Sequence, residues 1–160
     1  MALWTLEQQQ AIKPIDQNSF DKFEQLQREV EACDIEQYLG MEFYQEIKRN
    51  PDDYEKLFYG GDYEYSGYIY SFNGLVFVCA YLLYARYIRQ SYIVDTYSGF
   101  VQHTGNDFKQ ISSGELKNLE ARYKEVAGAE WDRCLHYLSS IGQTRFFPSK
   151  EKKQFKLGHL

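Results

Sequence analysis

At 160 residues, with 44% apolar and 26% charged side chains, the chain has room for one domain with a real core and the balance of an ordinary globular protein. A net charge of −5 argues against a general nucleic-acid binder. Three widely spaced cysteines, Cys33, Cys79 and Cys134, supply neither a disulfide framework nor a zinc spacing, so reduced, buried thiols are expected.

From the N-terminus, MALWTLEQQQ has no basic region followed by an apolar one, so no signal peptide is expected. LWTLEQQQAI reads as a short helix or arm that Thr5 starts and Lys13-Pro14 stops. Asn18 and Ser19 suit the start of a second helix, in which Phe20, Phe23, Leu26, Val30 and Cys33 recur at steps of three and four. It runs to Tyr38 or Leu39, where Gly40 breaks or bends it, and MEFYQEIKRN resumes a helical pattern. Asn50-Pro51 opens a further short helix, with Asp52 and Asp53 at its positive end and Gly60-Gly61 as its stop.

The stretch DYEYSGYIYSF alternates aromatic with other residues, as a strand would. Because it leads straight into the next helix, it is read as a loop and a first helical turn. That next helix, FNGLVFVCAYLLYARYIR, organises the rest. From Leu75 to Ala85 it has no charge, no Gly and no Pro, and apolar groups cover every side, so it must be buried all round. Arg86 and Arg89 interrupt it, and the run falls short of the roughly 20 apolar residues a membrane span needs. Pairing of these arginines with acids of the second helix is expected.

Residues 91–111 are rich in β-branched and aromatic groups around Ser98-Gly99 and Gly105-Asn106, which predicts a β-hairpin or an extended loop. Ser112 to Glu115 form a capping-box pattern, and Leu116, Leu119, Tyr123, Val126, Trp131, Leu135, Leu138 and Ile141 follow at helical spacing up to Gly142. The predicted architecture is all-α: a small helical bundle around the central helix at about 72–90, a projecting loop at about 91–111, and an extended C-terminal tail. The domain is 1–142 and the arm 143–160. In that arm Arg145, Lys150, Lys152, Lys153 and Lys156 face one acid, Glu151, for a net +4, which leaves −9 on the body.

Constellations for chemistry are thin. His103, His136 and His159 fall in the loop, the last helix and the tail without ligand spacing, there is no phosphate-cradling glycine loop, and Tyr97-Ser98-Gly99 is a turn rather than a nucleophile elbow. No enzyme activity, metal or cofactor is expected. The tyrosines of 59–72 could stack on bases or sugars, but Asp62 and Glu64 repel phosphate, so core and subunit contact is the preferred reading. Phe146, Phe147, Phe155 and Leu157 sit between the lysines of the tail. A merely solvated end would not need them, and docking on a partner is expected.

Taken together, a capped helix leading into YLGMEFYQEI, an acidic segment, GLVFVCAYLLYARYI, a loop with TYSGFVQHT and a helix ending in WDRCLHYLSSI resemble the head–tail connector (adaptor, or neck-ring) proteins of tailed bacteriophages, in a branch found in phages of Bacteroides-type bacteria. The similarity covers roughly residues 5–141. The resemblance implies a homo-oligomeric ring, commonly of twelve subunits, placed in the virion neck below the portal protein and assembled in the host bacterial cytoplasm. Such a ring extends the DNA channel, contacts further neck or tail proteins, and lets DNA pass without sequence-specific binding or any membrane. On this resemblance Tyr97, Ser98, Gly99, Phe100, Val101 and His103 would contact the portal or a neighbour, and Phe146, Phe147 and Phe155 an adjacent subunit or ring. A small helical adaptor or regulatory protein that binds one partner through its basic tail is the alternative.

Overall fold

A computed structural model of the chain describes residues 2–91, 93–96, 99–102 and 112–143. The first helix, α1 (Leu6–Ile12), starts at Thr5, whose hydroxyl accepts the Gln8 N–H while the Gln8 side chain accepts that of Thr5. The residues ahead of it are not a loose arm. Leu3 and Trp4 are buried, the Leu3 N–H donates to Glu31 at 2.9 Å, and Gln27 donates to the Trp4 carbonyl. Gln9 is fully buried, yet satisfied: it accepts from the Trp4 indole and donates to the carbonyls of Lys13 and Ala80. The Lys13 ammonium lies 4.8 Å from the Tyr84 ring centre and 4.7 Å from that of Tyr123, which fastens the end of this segment across two later helices.

The second helical run extends from Gln17 to Leu39 but changes pitch on the way. A 3₁₀ turn (Gln17–Lys22) passes into α2 (Phe23–Val30), then a π turn (Glu31–Ile35), then α3 (Glu36–Leu39). Phe23, Leu26 and Val30 point inward at the expected spacing. The wider π turn then shifts the inward face by one residue, so Ile35 and Leu39 follow Val30 into the core. Cys33 is exposed as a result, which corrects the expectation of a buried thiol there; Cys79 and Cys134 are buried. Gly40, at φ +77, breaks the run, and α4 (Met41–Arg49) buries Phe43, Tyr44 and Ile47. Pro51 opens a 3₁₀ turn (Pro51–Tyr54) that becomes α5 (Glu55–Tyr59) and stops at Gly60.

The stretch read as a loop and helical turn is instead an antiparallel hairpin, β1 (Gly61–Tyr65) with β2 (Tyr68–Phe72). Its two-residue connection, Ser66-Gly67, holds positive φ at both positions, +53 and +80, the backbone that suits the twist of a tight hairpin. The chain is therefore mainly α rather than all-α.

The central helix, α6 (Leu75–Ser91), is buried on most of its surface, but not all round as expected: Phe77, Tyr81, Tyr84 and Tyr87 are half-buried. Leu75, Val78, Cys79, Leu83 and Ala85 are fully buried and Leu82 nearly so. Each such leucine contributes roughly 1.5–3 kcal/mol by leaving water. A second hairpin follows, β3 (Ile93–Thr96) with β4 (Gly99–Gln102), as predicted for this region. Then α7 (Ser113–Ser140) begins at the capping box of Ser112 and Glu115. It lies antiparallel along α6: Arg89 meets Glu120, Tyr84 meets Tyr123 edge-on, and Phe72, just before α6, stacks on Tyr137. Its inward residues are Ala127, Trp131, Cys134 and Leu138, and Trp131 stacks on Tyr38 at 5.2 Å. Ile141, expected inside, is half exposed at the helix end.

Arg86 pairs with Asp34 of the π turn at 2.6 Å, as expected, whereas Arg89 reaches Glu120 of α7 at 3.9 Å rather than the second helix. No helix among the described residues is long and apolar enough to cross a membrane. One consequence of the antiparallel α6–α7 pair matters most. The β1–β2 hairpin precedes α6 and the β3–β4 hairpin follows it, so they attach at opposite ends of a helix about 25 Å long.

Candidate interaction surface

The pleat sorts the first hairpin into two unlike faces. Cross-strand partners share a face, so Tyr63 and Tyr70, Tyr65 and Tyr68, and Gly61 and Phe72 lie on one side. Asp62 and Ser71, with Glu64 and Ile69, lie on the other.

The tyrosine face is held by α7. Phe72 stacks on Tyr137 at 4.8 Å, and the rings of Tyr63, Tyr65 and Tyr70 surround the His136 imidazole at 5.8, 5.4 and 4.6 Å. Burial, helped by the neighbouring Tyr70 and Cys134, holds the Tyr63 phenol above its usual range. The hydroxyl is hydrogen-bonded to Nδ1 of His136. The base of the hairpin is clamped as well. Both oxygens of buried Glu130 accept from Asn73, one from the backbone N–H and one from the side-chain amide, while Arg133 offsets the charge at 3.2 Å.

Two glycines make this closure possible. A Cβ on Gly60 would sit 2.2 Å from the Phe72 carbonyl oxygen, and one on Gly74 would sit 2.5 Å from both the Gly60 nitrogen and the Phe58 carbonyl oxygen. Only glycine lets these backbones approach so closely, and both adopt positive φ.

The opposite face is open. Ile69 is 80% exposed there, with Asp62, Glu64 and Ser71 also in solvent; Tyr68, on the tyrosine face but at the tip, is 69% exposed. Among the described residues the sheet has two strands, so both strands present an unpaired backbone edge. Sequence reasoning marked the tyrosines of this stretch, Tyr68 among them, for core and subunit contact but passed over Ile69. The signal was there: Tyr-Glu-Tyr, then Ser-Gly, then Tyr-Ile-Tyr is a period-two pattern broken by a turn dipeptide.

Of the residues expected to meet partners, Gly99, Phe100 and Val101 form β4, opposite Thr96, Asp95 and Val94. Tyr97, Ser98, His103, Phe146, Phe147 and Phe155 lie outside the described residues. His136, half-buried on the surface of the last helix, is engaged by the hairpin.

Elsewhere the structure offers polar groups already in use. Glu31, buried on the π turn, accepts from the Tyr44 hydroxyl at 2.7 Å, from Lys48 at 3.0 Å and from the Leu3 N–H. Burial pulls the Lys48 ammonium down, but its bonds to Tyr44 and Glu31 outweigh that and raise it above the usual lysine value. A cavity of about 250 Å³ lies between Leu3, Ile47, Lys48, Glu55 and Phe58. It is smaller than most small-molecule sites, and the ammonium on its wall is the one bound to Glu31.

Residues 35–156 match the model of a family described as a family of unknown function, DUF6712. No curated protein and no solved structure matches the chain.

Proposed function

Since the chain belongs to the DUF6712 family over most of its length, and that family's description assigns no role, we propose one from the chain's own residues: it is a subunit of a head–tail connector ring in the neck of a tailed-phage virion. On this reading the protein is a small helical bundle with a projecting loop. Copies close into a ring below the portal protein, commonly of twelve, extend the DNA channel and offer a surface to the next neck or tail component.

The observation that carries the reading is the placement of two hairpins at opposite ends of one buried helix. A ring needs head-to-tail contacts, in which two different surfaces of one subunit meet complementary ones on its neighbours. Rigid helices with unlike contact elements at either end satisfy that requirement. The first hairpin leaves Ile69 and Tyr68 in water. The second carries Gly99, Phe100 and Val101, next in sequence to Tyr97 and Ser98. We assign portal or neighbour contact to the 97–103 loop, and subunit or ring docking to Phe146, Phe147 and Phe155.

Measurement of mass in solution together with negative-stain imaging, with and without purified portal protein, tests the reading. Closed rings, alone or on the portal, are expected. A chain that stays monomeric in both conditions would sink the connector reading and leave the single-partner adaptor.

A further inference from the structure

We propose that the outer face of the β1–β2 hairpin is the receptor for the C-terminal segment, residues 144–160, of an adjacent copy of the chain. The inference rests on the ring reading and adds to it the identity of both surfaces in one subunit contact.

Three observations meet here. First, the pleat exposes Ile69 between Asp62, Glu64 and Ser71, while the opposite face is taken up by α7. A solvated sheet face has no need of an isoleucine, and among the described residues both strand edges are open to a further extended chain.

Second, the charges match. Residues 51–72 carry Asp52, Asp53, Glu55, Asp62 and Glu64 against Lys56, a net of −4. The segment 144–160 carries Arg145, Lys150, Lys152, Lys153 and Lys156 against Glu151, a net of +4. Phe146, Phe147 and Phe155 supply apolar groups for Ile69, and lysines beside them supply partners for Asp62 and Glu64. Such complementarity fixes the partner and the register more than it adds raw affinity.

Third, the reach is sufficient. The segment has 17 residues beyond Gln143, which span at most about 56–61 Å when extended. A domain of this length has a radius of gyration near 15 Å. The chain leaves α7 just beyond His136, on the covered side of its own hairpin. Its own tail would have to turn around the sheet to reach the outer face, so the contact is assigned to the tail of a neighbour. Tail and hairpin are then the two unlike halves of a heterologous contact.

The test uses the full chain with p-benzoylphenylalanine in place of Ile69, irradiated at a concentration where rings form. Cross-links between chains, mapped by mass spectrometry to 144–160, are expected. In parallel, D62K/E64K should weaken assembly roughly tenfold, since two exposed ion pairs become repulsions. Adding K152E/K153E to the same chain should restore it. D62N/E64Q gives the same direction with a smaller effect, and circular dichroism checks that each variant is folded. Rings that form normally with D62K/E64K, or cross-links that stay within one chain, overturn this inference and leave the ring reading standing. A wild-type chain that never assembles overturns both.

Discussion

Gly74 and Gly40 both hold positive φ, yet a side chain would meet different surroundings at each. At Gly40 nothing lies within 4 Å of an added Cβ, so Gly40→Ala costs only the backbone strain, about 1–2 kcal/mol. At Gly74 the same methyl group collides with backbone atoms at 2.5 Å, which no rotamer relieves. Gly74→Ala should therefore cost at least about 2 kcal/mol more, read as the difference in urea midpoints at unchanged slope. The thiols divide in a similar way. Burial pushes Cys79 and Cys134 well above the usual thiol range, whereas Cys33 is exposed. Ellman's reagent at neutral pH should label one thiol per native chain and three in denaturant; fast labelling of a second would contradict the packing of α6 on α7. Glu31 gives a pH signature. Its partner Lys48 has a folded pKa raised above the unfolded value, so the pair's contribution is complete below the unfolded lysine value, about 10.4, and is lost as pH climbs through the folded one. Glu31→Gln should cost about 2 kcal/mol, a gap that is flat from neutral pH upward and narrows only above that unfolded value.

At the level of elements, the first hairpin owes its order to α7. Two strands alone are marginal in water, and these are held by the tyrosines around His136 and by the Glu130 clamp on Asn73. His136→Ala should loosen the hairpin and spare the core, raising amide exchange in 61–72 roughly fivefold, about 1 kcal/mol of local opening, with α6 amides unchanged. Equal protection in both proteins would mean that the hairpin holds itself. The helices were largely legible because their signals are local: the capping boxes at Thr5 and Ser112, Pro51 at a helix start, and glycine stops at Gly40 and Gly60. The apolar run of α6 announced its burial for the same reason. What escaped depended on registers that local rules do not fix. Regular α spacing pointed Cys33 inward, but the π turn moved the inward face to Ile35. The hairpin's alternation runs directly into an apolar helix, and only the paired strands on either side of Ser66-Gly67 distinguish it from a first helical turn. The outer face around Ile69 could not be picked out until the strand pairing was known, since pairing decides which residues share a face.

For the whole molecule, charge is segregated rather than balanced. The last 18 residues carry +4 and the remainder −9. On the proposed ring reading, a lumen built from acidic bodies would neutralise few phosphates and release few of the counterions condensed on DNA, so the duplex would pass without adhering. Docking of each tail on a neighbour's carboxylates would withhold its lysines from DNA as well. The assembled chain should then bind a short labelled duplex more weakly than about 10⁻⁴ M at roughly 0.15 M salt, the weak edge of ordinary non-specific binding. D62N/E64Q, which frees the tails without adding positive charge, should bind more tightly at low salt. That gain should fall as salt rises, with a logarithmic slope set by the phosphates the freed lysines cover, roughly −0.9 for each. Fluorescence anisotropy across a salt series reads both effects. Micromolar binding by the unaltered assembly at the same salt would mean a lumen that grips phosphate, and an acidic, sliding channel could not be built from it.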